Sequence, residues 1–407
     1  MKVVGIITEY NPFHHGHHYQ LQAAKQATQA DVLVVIMSGN VVQRGEFAVL
    51  DKWQRGELAV RYGADLVLEL PLLASLQSAD YFARMGVELL ASIGCETLVF
   101  GTESATTDAL EAHVTWLNDN ETHLQPVIQS YLAQGFSYAA AMQMALDELS
   151  RQQATRALDN WDFDPSSPNH LLGIQYIKAN RQLTKPMEIV TIPRLHSLTP
   201  SQAGIQLDSQ VDTLYSGSQI RQLWQRNELK PTFLPQGSYE ELLAGRSVNW
   251  EDYWPLLKYQ LTCHRPETLS QIFGVKEGLE HLLLKQLDKA NSLAQYRQAL
   301  LSKRWTQASI QRILLAILLN IQADEWETYR ANFEKQPLLR ILAYQPTGQQ
   351  FLKQVKLDKQ VELFSNYKQS YQNRYQLVLR ADQILALNPR VTIPEQNYSR
   401  YPIQVDG

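Results

Sequence analysis

Through the N-terminal half of the chain, short apolar runs alternate with amphipathic segments. Val3–Ile7 is an apolar, β-branched run, and His17–Gln29 follows with helix-forming Gln, Leu, Ala and Lys. Asp31–Met37 reads as a second buried strand and Lys52–Tyr62 as a helix ending at Gly63. Leu66–Leu70, closed by Pro71, is a third strand. Ala79–Ile93 is helical up to Gly94, and Thr97–Phe100 is a short fourth strand ending at Gly101. Strands alternating with helices predict a parallel sheet covered on both faces. Such sheets bind ligands at the carboxyl ends of their strands. Gly5–His18, Ser38–Arg44 and Gly101–Ser104 are all expected at that edge.

Residues 105–160 read as largely helical, and Asp162–Asn169 as a turn-rich connector. A helix over Leu171–Asn180 and a strand over Met187–Ile192 add one more unit to the sheet. The character changes around Pro231–Gly237. From Tyr239 to about Ala386 the pattern is mainly helical and rich in Leu and Gln, and the proline-bearing tail Asn388–Gly407 reads as an extended arm. The expected organisation is an α/β domain over 1–235 and a mainly α-helical C-terminal domain over 236–407.

The 407 residues suffice for a large core, and 44% hydrophobic with 19% charged residues fits an ordinary globular protein. No run of eighteen apolar residues appears, so no membrane span is expected. The apolar start is too short for a signal peptide and turns polar at Thr8-Glu9. Cys95 and Cys263 lie far apart, without a zinc or disulfide pattern, which places the chain in a reducing cytoplasm. A net charge of −4 exerts no global pull on nucleic acid, so an RNA partner requires a local basic patch.

Four of the ten histidines fall at His14, His15, His17 and His18, just after the first strand and a Pro-containing turn. A helix starting near Gly16 puts His14 and His17 at its N-terminus, where unpaired N–H groups and the helix dipole favour an anion. Imidazoles add donors for charge building on a phosphate, and Gly16 permits close backbone approach. A metal site remains an alternative, although no Cys accompanies the cluster and adjacent histidines cannot all face one ion. A purely structural cluster is the other alternative.

His14-His15-Gly16-His17 resembles the His-x-Gly-His signature of the nucleotidyltransferase and class I aminoacyl-tRNA synthetase superfamily. The longer stretch from Gly5 through Glu9-Tyr10-Asn11-Pro12-Phe13 to His17 is similar to one family, the bacterial tRNA(Met) cytidine acetate ligases. Ser38-Gly39-Asn40, Gln43-Arg44-Gly45-Glu46, Asp51-Lys52-Trp53, Phe100-Gly101 and Ser167-Pro168-Asn169 extend the likeness. Ser302-Lys303-Arg304-Trp305-Thr306 and Gln311-Arg312 carry it into the C-terminal part. The resemblance implies a Rossmann-like (HUP-type) nucleotidyltransferase domain with ATP as co-substrate. Its pocket would be built by Ile7, Thr8, Glu9, Tyr10, Asn11, Pro12, Phe13, His14, His15, Gly16, His17, His18, Tyr19, Gln20, Gly101, Asn169 and Arg194. Residue by residue, Gly101 could equally be a turn glycine and Asn169 a helix cap. After Arg194, the segment Leu195–Thr199 departs from the Gly-rich sequence the family would have there.

Ser216-Gly217-Ser218-Gln219-Ile220-Arg221 resembles the superfamily's second signature. Ser218 and Arg221 would hold the β- and γ-phosphates, although Ser218 also reads as a simple helix N-cap. Arg44, Asp51 and Lys52 lie near the same edge and suit either an anion or a surface salt bridge. Gln295–Arg312 carries Arg297, Lys303, Arg304 and Arg312, no acidic residue, and the aromatics Tyr296 and Trp305. That mixture fits phosphate contact plus base stacking, and equally a solvated helix face.

The chemistry implied by the resemblance is attack of acetate on the α-phosphorus of ATP. Attack of the wobble cytidine N4 of elongator tRNA(Met) on the acetyl-adenylate follows, giving N4-acetylcytidine. His14, His17, Ser218 and Arg221 are the expected catalytic set. Mg2+ can accompany ATP, but no dedicated carboxylate cage for it or any other metal is evident. Two other readings use the same signature: a small-molecule adenylyltransferase, and a non-catalytic tRNA-binding protein with a regulatory nucleotide site. The first leaves the long helical half unexplained, and intact His14, His17 and Arg221 weigh against the second. Acid specificity and oligomeric state are not written in the chain.

Overall fold

The computed structural model describes residues 1–152, 163–164, 167–194, 214–355 and 361–406. The α/β half runs β1 (Val3–Thr8), α1 (His15–Thr28), β2 (Val32–Ser38), β3 (Val41–Val42), β4 (Glu46–Phe47), α2 (Lys52–Arg61) and β5 (Leu66–Leu70). It continues with α3 (Leu72–Ser75), α4 (Ala79–Ser92), β6 (Thr97–Thr102), α5 (Thr107–Asp119), α6 (Glu121–Ala133), α7 (Tyr138–Gln152), α8 (Pro168–Arg181), β7 (Glu188–Pro193) and α9 (Gly217–Gln225). Beyond it come α10 (Gln236–Leu243), α11 (Trp254–Cys263), α12 (Pro266–Leu269), α13 (Leu279–Leu287), α14 (Leu293–Leu300), α15 (Gln307–Leu318) and α16 (Ala323–Lys335). The chain closes with β8 (Leu338–Tyr344), α17 (Pro346–Gln354), β9 (Glu362–Phe364), α18 (Gln372–Leu385) and β10 (Ile403–Gln404).

Among the described residues the main sheet is ordered β10-β8-β5-β2-β1-β6-β7, with β9 against β8. β1 lies between β2 and β6, parallel to both, with Val3 opposite Val32 and Val4 opposite Thr97. Alternate side chains serve opposite faces, as a strand requires. Val3, Ile7, Val32, Val34 and Ile36 face one apolar cluster, shared with Phe82 and Leu90 of α4 and Ile174 and Ile177 of α8. Val4, Ile6, Leu33, Val35 and Met37 face the other, with Tyr19 and Leu21 of α1 and Trp53 and Leu58 of α2. Both faces are buried, which is why these strands read as unbroken apolar runs.

The C-terminal part is mainly helical, as its pattern indicates, but it also supplies strands to the sheet. The stretch Tyr239–Ala386 is not helical throughout: Leu338–Tyr344 is a strand of the main sheet, antiparallel to β5. Pro337 and Pro346 flank this seven-residue segment, apolar but for the buried Arg340 and too short a span for a core helix. The tail also returns to the sheet, with Ile403 and Gln404 pairing Ala343 and Tyr344. The C-terminal helices share the first cluster, through Leu257, Leu314, Trp326 and Tyr329 among others. The segment Leu195–Thr199 and part of the 162–169 connector fall outside the described residues.

Candidate functional site

At the carboxyl ends of β1, β6 and β7 a cleft of about 460 Å3 opens. His14, Gly16 and His17 enter it from the start of α1, Gly101 from β6 and Asn169 from α8. Arg194 follows β7, and Ser216, Gly217, Ser218 and Arg221 come from the start of α9. Ile7, Thr8, Glu9, Tyr10, Asn11, Tyr19 and Gln20 also line it. Residues as far apart in sequence as Ile7 and Arg221 therefore converge on one space. Pro12, Phe13, His15 and His18 do not line the cleft. Pro12, Phe13 and His15 are buried beside it. Phe13 stacks on Tyr62 at 5.4 Å, and His18 tilts against Tyr62 while its Nε2 lies 2.9 Å from Gln22.

The start of α1 holds the two cleft histidines in register. His14 is the residue preceding the helix, and its N–H donates to His17 Nδ1 at 3.3 Å. The two rings stack with centroids 3.6 Å apart. Burial, then the His14 charge, then Arg194 hold the His17 imidazole well below its ordinary value of 6.5. A triphosphate would supply the negative charge that the stacked rings lack.

The other contributors are fixed from behind. Arg194 donates to Asn169 Oδ1 at 3.0 Å, and Asn169 in turn donates to Glu103. Ser167 also donates to Glu103, at 3.0 Å. Asn169 lies inside α8, so it is not the cap of that helix; Ser167 occupies that place. Likewise Ser216, and not Ser218, precedes α9 and caps it, which leaves the Ser218 hydroxyl at the cleft. Arg221 donates to the Asn11 carbonyl at 2.6 Å and pairs with Glu46 at 3.5 Å. A Cβ on Gly217 would come within 2.8 Å of the same carbonyl, so the turn after β1 and the start of α9 interlock at that glycine.

Sequence reasoning gave no role to Glu103 or Glu46. Glu103 follows β6 and Glu46 opens the short strand β4, and their partners lie more than sixty positions away, so only the fold reveals their work. It also missed the cleft walls formed by Phe82, Leu172, Tyr176 and Tyr215. Of the three residues near the β2 edge, only Arg44 reaches the cleft, and it is exposed. Asp51 caps α2 by accepting from Trp53 and Gln54, both at 2.9 Å. Lys52 is fully buried, 2.9 Å from Glu69 and 2.8 Å from Asp382, so neither surface salt bridge nor anion contact describes it. Among the described residues no group of three His, Cys, Asp or Glu side chains forms a metal cage.

The basic stretch divides. Arg297 is half-buried on α14, while Lys303 and Arg304 are exposed in the turn before α15. Lys303 lies 5.2 Å from the Phe136 ring, and Arg304 pairs with Glu277 at 2.8 Å. Arg312, on α15, donates to the Gln43 carbonyl at 3.4 Å and thereby adjoins the cleft wall. Tyr296 is not available for stacking: it is fully buried and donates to the Leu283 carbonyl at 2.8 Å. Trp305 packs half-buried against the core.

Residues 1–399 match the family model described as HIGH Nucleotidyl Transferase. The chain is 36% identical over its whole length to the tRNA(Met) cytidine acetate ligase of Latilactobacillus sakei, covering 98% of that protein. It is 33% identical to the enzyme of the same name from Bacillus subtilis, again over 100% and 98% of the two chains. Its fold superposes on Thermotoga maritima TmcAL bound with alpha-thio ATP with a TM-score of 0.83, at 26% identity and full coverage of both chains. By sequence along its length and by the architecture around the cleft, the chain belongs to the HIGH nucleotidyl transferase family.

Proposed function

We propose that this chain is a tRNA(Met) cytidine acetate ligase. It uses ATP to convert acetate to acetyl-adenylate and passes the acetyl group to N4 of the wobble cytidine of elongator tRNA(Met). The observation that carries this reading is the convergence of His14, His17, Gly101, Asn169, Arg194, Ser218 and Arg221 on one cleft. The chain around that cleft matches ligases of this name from end to end.

The chemistry follows from charge. Acetate is a poor acyl donor because oxide would have to leave; adenylation supplies a stable leaving group. As an acetate oxygen bonds to the α-phosphorus, the bond to the β-phosphate oxygen breaks and negative charge grows on pyrophosphate. His14 and His17, at a helix start, and Arg221 with Ser218 would receive that charge. Arg221 is held ready by the Asn11 carbonyl and Glu46, which lowers the cost of ordering it around the nucleotide. Gly101, Asn169 and Arg194 would seat the rest of the nucleotide. A divalent ion would enter bound to the phosphates, and no step is assigned to it. A cytoplasmic setting fits a tRNA substrate. Lys303, Arg304, Arg297 and Arg312 are the proposed tRNA contacts.

The test is transfer of radiolabelled acetate into purified total tRNA, with and without ATP. ATP-dependent label in elongator tRNA(Met), lowered about 10²-fold or more in His14→Ala and His17→Ala, is the expected result. Adenylation of a small metabolite without labelled tRNA would replace this reading with a metabolite adenylyltransferase. Absence of any turnover would replace it with a nucleotide-regulated binding protein.

A further inference from the structure

The cleft contains one residue that does not suit a polyanion. Glu9 is the only carboxylate among the described residues that line it. A fixed negative charge opposes triphosphate binding, so its presence at the end of β1 calls for another task. Its carboxyl is half-buried, with Oε1 accepting from the Gln43 backbone N–H at 2.5 Å. No other hydrogen bond to this side chain is formed among the described residues, and Glu9 lines the cleft. Arg44 of the β3–β4 turn and Tyr176 of α8 line the same cleft, close enough for Arg44 to act on the Glu9 charge and for Glu9 to act on Tyr176.

The acyl-transfer half-reaction needs a base there. The cytidine N4 lone pair is delocalised into the ring, so N4 is a weak nucleophile that must shed a proton as the new bond forms. His14 and His17 are occupied with phosphate in the proposed mechanism. Resting on that mechanism, we propose that Glu9 accepts the N4 proton in the transfer step. The N4 lone pair forms a bond to the acetyl carbonyl carbon, and the carbon–oxygen bond to the adenylate breaks. AMP leaves with that electron pair, and the N4 proton passes to the Glu9 carboxylate. Burial holds this carboxyl above the ordinary carboxylate value, only partly offset by the Gln43 N–H and Arg44, which makes it a stronger base than a solvated glutamate. Glu46 on the same hairpin raises it further and Arg55 on α2 opposes that.

Glu9→Gln separates this role from a structural one, because the amide oxygen still accepts from Gln43. Two rates are read on the full chain: acetate-dependent ATP–pyrophosphate exchange, and single-turnover transfer of labelled acetyl to unmodified elongator tRNA(Met). The expected result is transfer slowed about 10²-fold, at least about tenfold more than exchange. A transfer loss that matches the exchange loss to within about tenfold overturns the proposal, and so does transfer that is little changed. Exchange without any transfer in the wild-type chain would instead refute the ligase reading itself, before Glu9 is tested.

Discussion

Replacing Lys52 with Met should be among the most destabilising single changes in the chain. The ammonium is fully buried and donates to Glu69 at 2.9 and 3.1 Å and to Asp382 at 2.8 Å. Methionine fills much of the same volume but leaves two buried carboxylates without the ammonium that bridges them. Breaking a buried ion pair by removing one partner costs about 3–5 kcal/mol. Some compensation remains, because Tyr375 still donates to Glu69 at 2.5 Å, and Asn40 and Asn397 to Asp382 at 2.8 and 2.9 Å. The cluster ties the β2 edge to α18 and to the tail, so its loss should loosen all three together. Urea unfolding followed by tryptophan fluorescence reads this, with Trp53 reporting locally through its bond to the Gln396 carbonyl at 3.0 Å. The triple variant Lys52→Met, Glu69→Gln, Asp382→Asn removes all three charges and keeps the surrounding donors. It should recover a substantial part of the loss. A Lys52→Met cost below about 1 kcal/mol, or a triple variant no better than the single one, would refute the reasoning that uncompensated buried charge is the cause.

Three further outcomes are expected. Gly45 has φ +81°, and a Cβ there would lie 2.3 Å from the Arg312 nitrogen, a backbone atom of α15 that cannot yield. Gly45→Ala should therefore cost more than the roughly 1–2 kcal/mol of left-handed backbone alone. It should also raise the KM for ATP or acetate by displacing Gln43 and Arg44; wild-type melting and kinetics would exclude it. Burial, then the Lys178 charge, push the His113 imidazole down to about 4, whereas the unfolded residue protonates near 6.5. Between those values the unfolded chain binds the extra proton, so stability falls as pH drops from 6.5 towards 4. His113→Gln should flatten that part of a urea-midpoint series by up to about 3 kcal/mol, and an unchanged slope would refute it. Lys303→Ala and Arg304→Ala should each weaken tRNA binding and reduce the slope of log affinity against log salt by about 1, as measured by filter binding. An unchanged slope removes that residue from the interface.

Local sequence carried a large part of the fold. β1, β2, β5 and β6 are largely apolar runs set off by Gly63, Pro71 and Gly94, although β6 continues through the expected stop at Gly101 to Thr102, and a strand buried on both faces needs little more than that to be visible. β8 escaped notice because Leu338–Tyr344 lies in a Leu-rich helical region and pairs with β5 across some 270 residues, roughly the span that no local periodicity reports. Tyr296 looked like a base-stacking residue because spacing along a helix does not say which face meets the core.

The sequence by itself determined a strand–turn–helix unit that brings His14, Gly16 and His17 to one helix start, because a helix start and its side chains are set within a few residues. Tertiary structure alone decided which distant residues complete it. Arg221 reaches the turn after β1, Glu103 braces Asn169, and Glu9 meets Gln43 only because the sheet order places their loops at one edge. The fate of Lys52 was decided in the same way. A lysine at the start of a helix reads as exposed, and only the return of α18 and the tail across the β2 edge encloses its charge with two carboxylates. Burial depends on what packs from elsewhere in the chain, and that information is not local to any residue.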